Sequence, residues 1–234
     1  MKCRLCKWLC DWLCGPDLSS GQLWDESKSW EQDHSNEWDL WAADGEGVRE
    51  LNERANEVFA TDQSLAFRMR KELADNGSVW AMRQTGRHYE FGQGVEPDLA
   101  QAEHYYYQAQ LAGSWMATLQ LTKLLFDHRI NEKWMGILEN GVESDFIPAN
   151  FWLAWYRYTR SPRRQTALEV RPLMEKAAKA GHPGARMILA QWKGRGKFGL
   201  HEMRQGFREF RSFWSDFRAG RLRDYAPETG VARA

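Results

Sequence analysis

"GQGVEPDLAQAEHYYYQAQLAG", residues 92–113, opens on two glycines spaced for a turn, passes Pro97 and Asp98, and runs through alanines and tyrosines to Gly113. Moving this stretch back by about 36 residues lays Asp98 on Asp62, Ala102 on Ala66, Gly113 on Gly77 and Ala117 on Ala81. Gly181 and Ala185 repeat the Gly-x-x-x-Ala step about two periods beyond Gly113. Each matched residue type has a physical task. A glycine that ends an Ala-, Leu- or Lys-containing helical run enters the left-handed region without a Cβ clash. Asp98, three residues before Gln101, and Thr166, three before Glu169, have the spacing of capping boxes. The small residues Ala81, Ala117 and Ala185 allow helices to approach closely. The repeating unit is therefore helix, turn, helix, turn, and Pro172 is expected to kink the second helix of one unit or delay its start.

The stretch "AMRQTGRHYEFGQGVEPDLAQAEHYYYQAQLAG" resembles the Sel1-like repeat of the tetratricopeptide-type α/α superfamily. Ala81, Gly86, Tyr89, Gly92, Gly94, Val95, Asp98, Ala102, Tyr105, Tyr106, Ala109 and Gly113 stand where that family has its alanines, glycines, tyrosine, Gly-x-Gly-Val loop, aspartate and aromatic pair. The resemblance implies an all-α, right-handed α/α superhelix of about four helix pairs over roughly residues 48–220. It also implies a concave face for other proteins, lined by the first helix of each repeat, and no catalysis. Helix pairs that cannot bury their apolar faces alone lead to the same stacked arrangement. On these first helices Arg83, Arg87 and Glu90 lie opposite Ala81 and Thr85 and are the leading surface candidates. Gln120, Lys123, Trp155, Arg186 and Lys193 follow by analogy of position.

The chain has 234 residues and a formal net charge of zero. That balance conceals an asymmetry, with ten acids between Asp17 and Glu50 and roughly three basic residues per acid from Arg157 to Arg223. Residues 15–47 are acidic, rich in Gly, Ser, Asp and Asn, and carry Trp24, Trp30, Trp38 and Trp41 at no helical period. They read as a loosely ordered arm or linker whose tryptophans dock on the repeats or on a partner. Residues 48–223 form the repeat region, closed by a capping helix, and 224–234 a flexible tail. In that capping helix Phe207, Phe210, Phe213, Trp214 and Phe217 form one stripe, while Arg204, Arg208, Arg211 and Arg218 form a neighbouring basic face.

All four cysteines, Cys3, Cys6, Cys10 and Cys14, lie in "MKCRLCKWLCDWLC". On a helix, Cys3 and Cys14 are about 16 Å apart along the axis, too far for one tetrahedral ion with bonds near 2.3 Å. A helix instead gathers the cysteines beside Leu5, Leu9 and Leu13, with Trp8 and Trp12 beyond, as an apolar docking helix. At about 20 Å it is too short to cross a bilayer; its seat is the repeat region, a partner, or peripherally a membrane surface. A metal or redox module on the four cysteines is the alternative for this segment. "GRGKFG", residues 194–199, matches a dinucleotide fingerprint literally, but the helical run before it aligns with a repeat rather than a strand. His34, His88, His104, His128, His182 and His201 form no catalytic constellation.

These features predict a cytoplasmic, non-catalytic scaffold or adaptor for protein partners, with no cofactor and no small-molecule substrate. The alternative is a nucleic-acid-binding protein using the basic C-terminal face.

Overall fold

The computed structural model describes residues 21–130 and 132–222. Among them every regular element is a helix: α1 (Gly21–Asp33), α2 (Glu37–Ala43), α3 (Glu46–Phe59), α4 (Gln63–Asp75), α5 (Val79–Phe91), α6 (Leu99–Leu111), α7 (Trp115–Asp127), α8 (Lys133–Glu143), α9 (Ile147–Arg160), α10 (Arg164–Lys179), α11 (Pro183–Gly194) and α12 (Leu200–Arg218). Residues 32–146 make one unit; the described residues 21–31 and 147–222 make another. From α3 to α8 in the first and from α9 to α12 in the second, consecutive helices pack on one another, and α2 packs on α5. Leu5, Trp8, Leu9, Trp12 and Leu13 of the expected docking helix, the four cysteines and the tail 224–234 fall outside the described residues.

The repeat register rests on how the second helices end. Gly77, Gly113 and Gly181 have φ of 99°, 93° and 103°. After each of them the next residue donates back across six residues: Ser78 N–H to the Leu73 carbonyl (3.0 Å), Ser114 to Ala109 (2.9 Å) and His182 to Ala177 (3.0 Å). This closure satisfies carbonyls that a helix end leaves open. The same residue then turns outward and caps the next helix. Ser78 Oγ accepts from Ala81 N–H, Ser114 Oγ from Ala117 N–H, and His182 Nδ1 from Ala185 N–H.

A further reversal lies at Asp145, which holds φ 58° without being glycine. Phe146 N–H donates to the Gly141 carbonyl at 2.9 Å, and Ala149 four residues after Asp145 is fully buried. Asp145 and Ala149 therefore stand where other repeats have Gly and Ala, giving steps of 36, 32 and 36 residues from Gly77 through Gly113 and Asp145 to Gly181. Arg129 (φ 52°) makes the corresponding turn between α7 and α8.

Small residues set the helix spacing. Ala66, Ala81, Ala102, Ala117, Ala149, Ala167 and Ala185 have no exposed surface. In the unit that holds α9 to α12, the core gathers Phe151, Met174, Ile188, Trp192, Phe210 and Phe213; burying a side chain of this size contributes about 1.5–3 kcal/mol. Two glycines permit closer contact still. A Cβ on Gly86 would meet the Tyr106 ring at 2.6 Å, and one on Gly206 would meet Gly194 N at 2.2 Å, so α12 crosses α11 backbone to backbone.

Three expectations require correction. Residues 21–33 and 37–43 are helical rather than loosely ordered. Because the chain breaks between α1 and α2, their tryptophans share no single period: Trp30 is buried, Trp41 packs edge-on against Trp80 at 4.9 Å, and Trp38 stays 57% exposed. Thr166 is not a cap, since α10 begins at Arg164. Nor does Pro172 delay that helix: Pro172 and Leu168 are both exposed, so water reaches the carbonyl that the proline cannot bond.

The cap geometry predicts opposite effects at two exposed turns. Gly113 has open space around its missing Cβ, so Gly113→Val isolates the cost of positive φ and should destabilise by about 1–2 kcal/mol. Arg129→Gly should stabilise by about 0.5–1 kcal/mol, as it relieves that cost. Thermal melting of the two variants checks both signs. Gly206→Ala should destabilise by about 1–3 kcal/mol, because the added methyl meets backbone; a melting temperature equal to that of the unaltered chain would refute the close crossing.

Candidate functional site

Glu37, the first residue of α2, is 2% exposed. Its Oε1 accepts from Ser114 Oγ at 2.6 Å, and its Oε2 lies 2.8 Å from Arg83 Nε. The Arg83 contact is an ion pair rather than an aligned hydrogen bond. Arg83 is itself 6% exposed; burial holds its guanidinium below the usual range, and the Glu37 charge opposes that effect. One carboxylate thus joins α2 to α5 and to the N-terminus of α7, where helix dipoles favour negative charge. Asn36 adds a two-point grip on the same turn, donating from Nδ2 to the Gly113 carbonyl (2.7 Å) and accepting from Trp115 N–H (3.2 Å). At the preceding first helix, Ser78 Oγ donates to Asp44 Oδ2 at 2.8 Å. Arg49 ties the end of α2 by donating to the carbonyls of Ala42 (3.1 Å) and Asp44 (2.6 Å).

Arg87 lies one turn beyond Arg83 on α5. It is half-buried and forms no hydrogen bond or ion pair among the described residues. Close to it, Tyr106 donates to Glu90 Oε2 at 2.6 Å; burial first, then the Glu90 charge, push this phenol far above its usual range and keep it a donor. Arg70, on α4, donates to His88 Nε2 (2.8 Å) and Asn56 Oδ1 (2.6 Å) and lies over the Phe59 ring. Its pKa is pushed down to about 10 by burial and by the charges of Arg87 and Arg83. His88 accepts from Arg70 at Nε2, so its Nδ1 carries the proton bonded to the Gln93 carbonyl. Burial lowers its pKa.

The other unit contains a related arrangement. Glu31, 3% exposed, accepts from Trp152 Nε1 (2.7 Å) and from His182 Nε2 (3.0 Å). His182 is fully buried, stacked on Phe151 at 4.2 Å and met edge-on by Trp30. Its Nδ1 caps α11, which leaves Nε2–H for the carboxylate.

The residues expected at the surface divide into two groups. Arg83 and Lys193 are buried, contrary to expectation, and Arg186 is half-buried. Arg83 is covered by Glu37; Arg186 lies over the Phe213 ring and 3.6 Å from Asp216; Lys193 is 8% exposed and donates to both Glu209 oxygens at 3.0 Å. The cause in the first case is α2, and for Lys193 the close α11–α12 crossing. Arg87, Glu90, Gln120 and Trp155 are half-buried and Lys123 is exposed, paired with Asp127 at 2.5 Å. Arg204, Arg208, Arg211 and Arg218 are exposed along α12, without a hydrogen bond or ion pair among the described residues. Glu31 contacts His182 at the start of α11, and Glu37 contacts Ser114 at the start of α7.

Asn36, Glu37, Asp44, Ser78, Ser114, Glu31 and His182 were not anticipated as a set. The available signal was the residue after each cap glycine: Ser, Ser and His, all able to accept from a helix N–H. Among the described residues no group of three His, Cys, Asp or Glu is placed to hold a metal ion, and no helix is long and apolar enough to cross a membrane.

No family model and no curated protein sequence matches the chain. Its structure is similar to a Sel1 repeat protein from Oxalobacter formigenes, with a TM-score of 0.57 and 14% identity over 77% of this chain and 81% of that one. It is also similar to c5321, a protective antigen present in uropathogenic Escherichia coli strains and displaying an SLR fold, with a TM-score of 0.55 and 17% identity. That match covers 75% of this chain and 42% of c5321, so the chain spans under half the length of this second relative. Together with the recurring cap reversals and buried alanines, these likenesses give the chain the α/α fold of the Sel1-like repeat proteins.

Proposed function

We propose that the chain is a non-catalytic, cytoplasmic scaffold or adaptor that binds protein partners on the first helices of its repeats. Arg87, Glu90, Gln120, Lys123 and Trp155 are its contact residues. Residues 1–14 offer a second attachment, to a partner or a membrane surface. The observation that carries this reading is Arg87, a half-buried arginine with no hydrogen bond or ion pair among the described residues, fixed on a helix that already uses Arg83 to hold a carboxylate. Arginine presents a rigid fork of donors matched to carboxylates, and it is enriched among residues that dominate interface energies. Gln120 and Lys123 lie on α7, which contacts α5, so these groups belong to neighbouring first helices of one unit. The reading includes no reaction and no cofactor.

The test is comparative capture from the source cells with the full-length chain and an Arg87→Glu, Lys123→Glu variant, followed by mass spectrometry. A defined set of proteins should be lost from the variant while its helical circular-dichroism signal is unchanged. An identical captured set would contradict the assignment. The exposed arginines of α12 motivate the nucleic-acid alternative. Tight gel-shift binding at physiological salt, lost on reversing Arg204, Arg208 and Arg211 to glutamate, would favour that reading.

A further inference from the structure

We infer that the pocket holding Glu37 is a recognition site for an acidic helical segment of a protein partner, and that residues 36–44 are an internal copy of that ligand which keeps the site closed. The inference rests on the scaffold reading and specifies its ligand. The pocket requires a carboxylate. Arg83 is 6% exposed, and the charges of Arg87 and Arg70 also bear on this part of the unit. In the closed site the Glu37 carboxylate compensates the burial that α2 imposes on Arg83, so a ligand that covers Arg83 in its place must bring an anion of its own. Ser114 Oγ supplies a second fixed donor at the start of the thirteen-residue α7.

The bound segment defines what is recognised. Asn36 grips the backbone on both sides of Ser114, Glu37 fills the pocket, Trp41 packs on Trp80, and Asp44 accepts from Ser78 at the start of α5. Glu37, Trp41 and Asp44 stand at i, i+4 and i+7, the spacing by which a short helix presents one face to a groove. Any helix with Asn-Glu, an aromatic residue four positions after the Glu and a carboxylate three beyond that offers the same groups.

The internal copy is suited to exchange. α2 has seven residues, too few for a helix to persist unaided. Trp38 on the same helix is 57% exposed. Most of the contacts of Asn36, Glu37 and Asp44 are polar, so a segment carrying the same groups replaces them one for one. While α2 occupies the site, the apparent affinity for an outside ligand falls in proportion to the fraction of open molecules.

The test uses a fluorescein-labelled peptide with the sequence of residues 33–45, DHSNEWDLWAADG, and the full-length chain. Glu37→Gln with Asp44→Asn weakens the internal copy, so this variant should bind the peptide more than about tenfold more tightly than the unaltered chain. A peptide with Gln in place of its Glu should bind the variant more than about tenfold more weakly. In the unaltered chain, excess peptide should accelerate amide hydrogen exchange in residues 37–43, a readout that does not depend on the variant folding. Equal binding by both proteins, indifference to the peptide Glu, or unchanged exchange in 37–43 would overturn the inference. If partner capture still depends on Arg87 when the peptide fails, the scaffold reading stands and this inference alone falls. Peptide binding with no partner lost in Arg87→Glu, Lys123→Glu would have the opposite meaning.

Discussion

A helical repeat must reverse its chain at every turn without stranding the carbonyls of the finished helix or the N–H groups of the next. Here one residue pair meets both demands. A left-handed residue lets the following N–H close back across six residues, and the side chain of that following residue caps the new helix. The small residue three positions further on then enters the core, because the cap fixes the rotation of the new helix. Register, spacing and packing therefore descend from the same pair of residues. Where glycine is missing, at Arg129 and Asp145, the backbone closure persists with positive φ at non-glycine residues, and Ile130 and Phe146 follow in place of a capping side chain.

The caps have an electrostatic consequence. Three of the first helices, α5, α7 and α11, direct N–H groups and a polar cap side chain at a point that favours negative charge. The N-terminal segment supplies it: Asp44 at Ser78, Glu37 at Ser114, and Glu31 at His182. Within one unit, Glu37 and Asp44, seven residues apart, thus meet the cap residues of α7 and α5. The proposal of a closed recognition site grows from this pairing, since a pocket that accepts a carboxylate from its own chain has the chemistry to accept one from another.

Much of the fold was legible because cap glycines and buried alanines leave fixed letters at fixed spacing: Gly77 with Ala81, Gly113 with Ala117, Gly181 with Ala185. The repeat at Asp145 was harder to see, since Asp enters the left-handed region only when its surroundings hold it there, and no letter announces that. The candidate site was legible in part. Helical spacing places Arg83 and Arg87 on one face; Arg87 is half-buried, whereas Arg83 is buried by a helix whose sequence reads as a polar arm. Propensity and composition describe α2 poorly because tertiary contacts, not local preference, hold its seven residues in place. Lys193 was hidden for a related reason: a single glycine at 206 brings α12 close, and glycine carries no sign of the partner it will approach.

The buried Glu37–Arg83 pair fastens α2 to the repeats. A double-mutant cycle with Glu37→Gln and Arg83→Gln, read by denaturant unfolding of the full-length chain, measures it directly. Either single change leaves a buried partner exposed to the low-dielectric interior and should destabilise by about 3–5 kcal/mol, with a coupling energy above about 1 kcal/mol. Additive effects, with no coupling between the two positions, would contradict the account.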